Sequence, residues 1–120
     1  SNKVILIDRF TDSTLAYQHY GMNVDKKIIL TLNNFLLKNI RVNFTFLHLV
    51  NEKNLKIRLL KRKKLNRYDK FNLNFYKKVQ KGFTKLVKLK RKNLLIINSN
   101  KSISENKKII TNKINKILNI

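Results

Sequence analysis

Two short runs, Val4-Ile5-Leu6-Ile7 and Leu94-Leu95-Ile96-Ile97, are apolar at every position instead of alternating. A strand with one face in water alternates; a run without alternation suits a strand covered on both faces, as in parallel sheets under crossover helices. The pattern predicts strands over residues 3–7 and 93–97, and the apolar stretch 44–50 predicts a third. Helical spacing separates and follows them. Ile28, Ile29, Leu32, Phe35 and Leu36 form one stripe, with Asp25 as its start signal. Leu73, Phe75, Val79, Gly82, Phe83 and Leu86 form a second, Ile103, Ile110, Ile114 and Ile117 a third, and a further helix is expected over residues 53–61. Strand, helix, strand, two helices, strand, helix is α/β order, which predicts a parallel sheet with right-handed crossovers. In such sheets ligands bind beyond the carboxyl ends of the strands, and Asp8-Arg9 stands directly after the first.

Charge is the second constraint. The 120 residues carry a net charge of +22, the usual footprint of a nucleic-acid binder. The lysines, however, run from Lys3 to Lys116 and are not gathered on one arm. The chain also holds 18 Asn and no Pro, with apolar residues dominated by Ile and Leu. Lys, Asn and Ile share AT-rich codons, so base bias raises all three together. Nucleic acid is therefore not expected as a partner despite the charge, although a small basic RNA-binding or ribosomal-type protein stays the alternative. Without Cys there is no disulfide or thiolate chemistry. His19 and His48 are scattered, and no apolar run approaches the length of a membrane span. The expected setting is the cytoplasm, or the stroma or matrix of an AT-rich organelle.

The stretch Asp8-Arg9-Phe10-Thr11-Asp12-Ser13-Thr14-Leu15-Ala16-Tyr17-Gln18 resembles the signature of thymidylate kinases, in which an apolar strand runs into Asp-Arg-aromatic and then Ser-x-x-Ala-Tyr-Gln. Leu32-Asn33-Asn34-Phe35, Thr45-Phe46-Leu47, Phe75-x-x-x-Val79, Ile96-Ile97-Asn98 and Ser102-Ile103 resemble later family elements in order, and residues 58–69 resemble its lid. The resemblance covers nearly all of the chain, taken as the carboxyl-terminal portion of one domain over residues 1–120. It implies a P-loop kinase-type parallel sheet flanked by helices, represented here by three strands and four to five helices.

The activity implied is transfer of the ATP γ-phosphate to dTMP, with dTMP and ATP as partners, Mg2+ as the accompanying ion, and a homodimer compatible with the family. Phosphoryl transfer depends on positioning and on neutralising phosphate charge. The resemblance puts the dTMP phosphate on Arg9, whose planar fork of donors suits a phosphate. It puts Asp8 beside that phosphate and in the outer shell of Mg2+, with no direct metal ligand in the chain. Ser13 and Thr14 take the thymine edge, Tyr17 the deoxyribose with Gln18 nearby, and Arg58, Arg62 and Arg67 the lid. Read from the residues alone, Asp8 caps the following turn, Arg9 pairs with it and Tyr17 is a core aromatic.

The sequence also departs from the family pattern. Its usual Gly-Arg-Gly reads Gly21-Met22-Asn23, its Pro-Asp reads Val42-Asn43, and Leu49 replaces an Asp. No Gly-x-x-x-x-Gly-Lys-Ser/Thr occurs, and two isolated glycines, Gly21 and Gly82, do not make a phosphate loop. An inactive kinase-like remnant is the third reading these departures admit.

Overall fold

The computed structural model describes residues 3–62, 72–89 and 91–120. A short helix α1 (Thr11–Thr14) runs directly into a π-helix (Leu15–Gly21), followed by α2 (Lys26–Leu37) and β1 (Thr45–Leu49). Then come α3 (Glu52–Leu60), α4 (Leu73–Leu89), a 3-10 turn (Arg91–Asn93), β2 (Leu94–Asn98) and α5 (Ile103–Leu118). Past the first predicted strand the α/β order is as expected, with five α-helices and a two-stranded parallel sheet among the described residues. None of these helices is long and apolar enough to cross a membrane. The chain divides into two compact units, one from Ser1–Arg41 and Phe71–Lys90, the other from Val42–Lys70 and Arg91–Ile120.

The first unit is helical. Its core is Leu15, Ile29 and Leu86, with Tyr20 and Phe83 packed against them. Each such side chain taken from water is worth about 1.5–3 kcal/mol, so the contact of α4 with the π-helix is the main source of its stability. Of the α4 stripe, Phe75, Val79, Gly82 and Leu86 are buried and Leu73 and Phe83 half-buried, while Tyr76, outside the stripe, is buried as well. Asp25 starts α2 by accepting a hydrogen bond from the Lys27 N–H at 2.7 Å, a side-chain cap for an otherwise orphaned donor. From the next turns of α2, the buried Asn33 amide donates to the Thr11 carbonyl at 3.3 Å and ties this helix to α1.

Two expectations fail in this unit. Residues 3–7 are not a strand, and Val4, Ile5, Leu6 and Ile7 are all exposed, Leu6 by 81%. A strand needs a neighbour for its ladder hydrogen bonds, and the described residues of this unit contain no other strand. Of the α2 stripe only Ile29 is buried, while Ile28, Leu32, Phe35 and Leu36 lie exposed. Apolar periodicity shows which face seeks cover, not whether the same chain supplies it.

The second unit holds the sheet. Strands β1 and β2 pair in parallel with Thr45 opposite Leu94 and Leu49 opposite Asn98, close to the predicted stretches. Leu47 and Ile97 are buried, but Ile96 stays 47% exposed, so the second run is not covered on both faces as its pattern predicts. Asparagines organise the ends of these strands. Asn51 caps α3 by accepting from the Asn54 N–H at 2.8 Å. The Asn100 side-chain Oδ1 accepts from the Asn51 N–H at 3.0 Å and the Asn54 side-chain amide at 2.9 Å, and the Asn106 side-chain amide donates to the Asn98 backbone carbonyl at 2.9 Å. Helix α5 opens on a capping box, in which Ser102 accepts from the Glu105 N–H and the Glu105 carboxylate accepts from the Ser102 N–H. The Ser102 hydroxyl also donates to the Glu105 carboxylate at 2.8 Å, and this bond first, then the one from the Ser102 N–H, holds the Glu105 carboxyl below its ordinary value. Asn119, in the left-handed region at φ 57°, closes the helix.

Candidate active site

Arg9 occupies the left-handed region at φ 62°. For a residue with a Cβ this costs roughly 1–2 kcal/mol, and conformations of this kind gather at functional sites. The residue lies in the bend that separates the apolar segment 3–7 from α1. From the bend its guanidinium reaches over the Tyr17 ring, 5.2 Å from the centroid, a cation–π distance. Phe10 stands at the N-cap of α1 without a side-chain capping bond, and its carbonyl accepts from the N–H groups of Ser13 and Thr14 at 3.0 and 3.2 Å. The turn after Arg9 is thus closed by backbone, not by an Asp8 cap.

The stretch that carries Tyr17 and Gln18 is the π-helix. Its Met22 N–H bonds the Tyr17 carbonyl at 3.0 Å, an i to i+5 contact. Wider turns of this sort are rare and are found mostly at functional sites. Leu15 and Ala16 bury its first turn. Asn23, at φ 60°, turns the chain out of it, and the Asn23 and Val24 N–H groups bond the His19 and Gln18 carbonyls at 2.9 and 2.8 Å. Asn is among the few residues with a Cβ that enter this region readily, so the Asn23 that replaces a family glycine keeps the turn.

Helix α4 holds the π-helix in place through its two glycine contacts. A Cβ on Gly21 would stand 2.6 Å from Phe75 Cε2 and 3.0 Å from Val79 Cγ2, and one on Gly82 would stand 2.6 Å from Tyr20 Cδ2. Each glycine admits an aromatic ring from the other helix. Tyr17 then sits edge-to-face with Phe75 and with Phe83, at centroid separations of 6.0 and 6.3 Å.

The structure brings Asp8, Arg9, Ser13, Thr14, Tyr17 and Gln18 onto one continuous stretch of the first unit. Asp8, Arg9 and Thr14 are exposed, and Ser13, Tyr17 and Gln18 half-buried. Arg58, in the second unit, donates from its guanidinium to the Ser99 carbonyl and so fastens α3 to the turn after β2. Arg62 is exposed just past α3, and Arg67 with lid residues 63–69 lies outside the described residues. Among those described, no group of three His, Cys, Asp or Glu side chains could hold a metal ion. The residues about Tyr17 that sequence reasoning places only in the core are Phe75 and Phe83. The one signal for their role is Gly82 inside an otherwise regular helical stripe.

Residues 1–110 match the family model for thymidylate kinase. The chain belongs to the thymidylate kinase family. It is 35% identical to a thymidylate kinase of Aster yellows witches'-broom phytoplasma, over 99% of this chain and 58% of the relative. It is 36% identical to one from Wolbachia pipientis wMel over 70% of this chain and 41% of the relative, and 35% identical to one from Mycoplasma capricolum over 87% and 50%. The chain thus spans between 41% and 58% of the length of these family members.

Proposed function

We propose that this chain is the nucleotide-acceptor portion of an enzyme that transfers the γ-phosphate of ATP to dTMP, giving dTDP. The observation that carries the reading is Arg9, held at positive φ with its guanidinium over Tyr17. A cation placed over an aromatic ring keeps its outward N–H donors free for a phosphate, and a planar fork grips two phosphate oxygens at once. Arg9 binds the dTMP phosphate, Asp8 accepts hydrogen bonds beside it, Ser13 and Thr14 meet the thymine edge, and Tyr17 with Gln18 meets the sugar. Arg62 and Arg67 act as lid cations on the resemblance alone, and the Arg58 contact with Ser99 favours a role in holding α3. The ATP-binding loop comes from residues outside this sequence. Charge alone favours RNA binding, but Tyr17, Tyr20, Phe75 and Tyr76 are packed in the first unit and do not form the exposed stacking platform that single-stranded RNA requires.

The test is complementation. This chain is co-expressed with the part of the phytoplasma relative that lies outside the matched region, and phosphoryl transfer from ATP to dTMP is measured. The relative divided at the same point serves as control. Activity that needs both polypeptides supports the reading. A control that works beside a chain that restores nothing contradicts it.

A further inference from the structure

The Tyr17 ring is the floor under Arg9, so whatever fixes the tilt of that ring also fixes where the guanidinium lies. Two side chains of α4 meet it. Phe75 and Phe83 are eight residues apart, about 12 Å along the helix at 1.5 Å per residue. They approach Tyr17 at interplanar angles of 64° and 77°. Edge-to-face pairing of this kind has a preferred geometry beyond simple burial. Phe75 is itself seated by Gly21, where a Cβ would overlap its ring, while Phe83 also rests on the Leu15, Ile29 and Leu86 core.

We infer that Phe83, together with Phe75, is a positioning residue for acceptor recognition, acting on Arg9 through the Tyr17 ring. Neither need touch substrate. Their edges fix the Tyr17 ring between them, and the opposing requirement, a left-handed Arg9 whose side chain would otherwise sample many rotamers, is met by the ring they hold. This inference rests on Arg9 as the phosphate-binding group.

Phe83→Leu keeps the apolar contact with the core but removes the ring edge; Phe83→Tyr restores the edge. Two readouts distinguish positioning from mere stability. The first is the side-chain Nε–Hε NMR signal of Arg9 in the 120-residue chain, which the ring current of Tyr17 displaces. The displacement is expected to collapse in Phe83→Leu and to return in Phe83→Tyr. The second is the pair of Michaelis constants in the complemented enzyme. Phe83→Leu is expected to raise the KM for dTMP about three- to tenfold, the scale of one aromatic pair, with the KM for ATP unchanged. An Arg9 signal indifferent to Phe83→Leu in a folded chain overturns the inference, as does an equal change in both KM values. If the wild-type complemented enzyme ignores dTMP, the functional reading fails and the inference falls with it; the NMR result then shows only whether the ring contact exists.

Discussion

Tyr20 lies against the bare backbone of Gly82, where a Cβ would come within 2.6 Å of its ring. Gly in a helix interior ordinarily costs about 1 kcal/mol relative to Ala, so an isolated α4 would gain from Gly82→Ala. In this fold the added methyl must displace Tyr20 and the π-helix with it. Overpacking of that kind costs about 1–3 kcal/mol, and the sign reverses. Gly82→Ala is expected to lower the melting temperature of the chain, as read by thermal circular dichroism. An unchanged or higher value would show that the two helices do not meet there.

Arg9 sets stability against function. Because φ 62° suits glycine, Arg9→Gly is expected to melt no lower than wild type, the relief of backbone strain offsetting the lost ring contact. In the proposed site the same substitution would remove the phosphate fork. Arg9→Lys keeps the charge but not the fork, and is expected to lower turnover of the complemented enzyme by about 10² or more, the scale of one lost charge-stabilising donor. Steady-state kinetics that match wild type in Arg9→Lys would remove Arg9 from the site.

Glu105 makes the stability of α5 depend on acid. Its folded-state carboxyl is held below the ordinary value by the Ser102 hydroxyl and N–H. A carboxyl of this kind stabilises the fold above its unfolded value, near 4.3 for a glutamate, and loses that contribution as pH falls through the lower folded value. Chemical denaturation from pH 7 to pH 3 is expected to show a loss below about pH 4 that is smaller in Glu105→Gln. Equal losses in both chains would mean that the capping box is not formed in solution.

Local chemistry made much of this structure legible in the sequence. Asp25 before an apolar stripe marked the start of α2, and the spacing from Leu73 to Leu86 marked the buried face of α4. The contiguous signature from Asp8 to Gln18 suffices to place the chain in its family, and the Arg9–Tyr17 contact gives that signature a geometry. Burial was less legible. Val4-Ile5-Leu6-Ile7 has the composition of a covered strand but no strand beside it among the described residues of its unit, because pairing belongs to a partner and not to the run itself. The packing of the π-helix is not legible either, since it brings Phe75 onto Gly21 and Tyr20 onto Gly82 across two helices. No local pattern encodes that meeting.

Sugar discrimination in the complemented enzyme bears most directly on where dTMP lies. In the proposed placement Tyr17, beneath Arg9, faces the acceptor sugar, where its ring would crowd a 2′-hydroxyl, and removing it would relax specificity more than it weakens binding. The ratio of kcat/KM for dTMP to that for its ribonucleotide counterpart is predicted to exceed one in wild type and to shrink in Tyr17→Ala, mainly through better use of the ribonucleotide. A wild-type enzyme with no preference, or a ratio that Tyr17→Ala leaves unchanged, would contradict the placement of dTMP on this face.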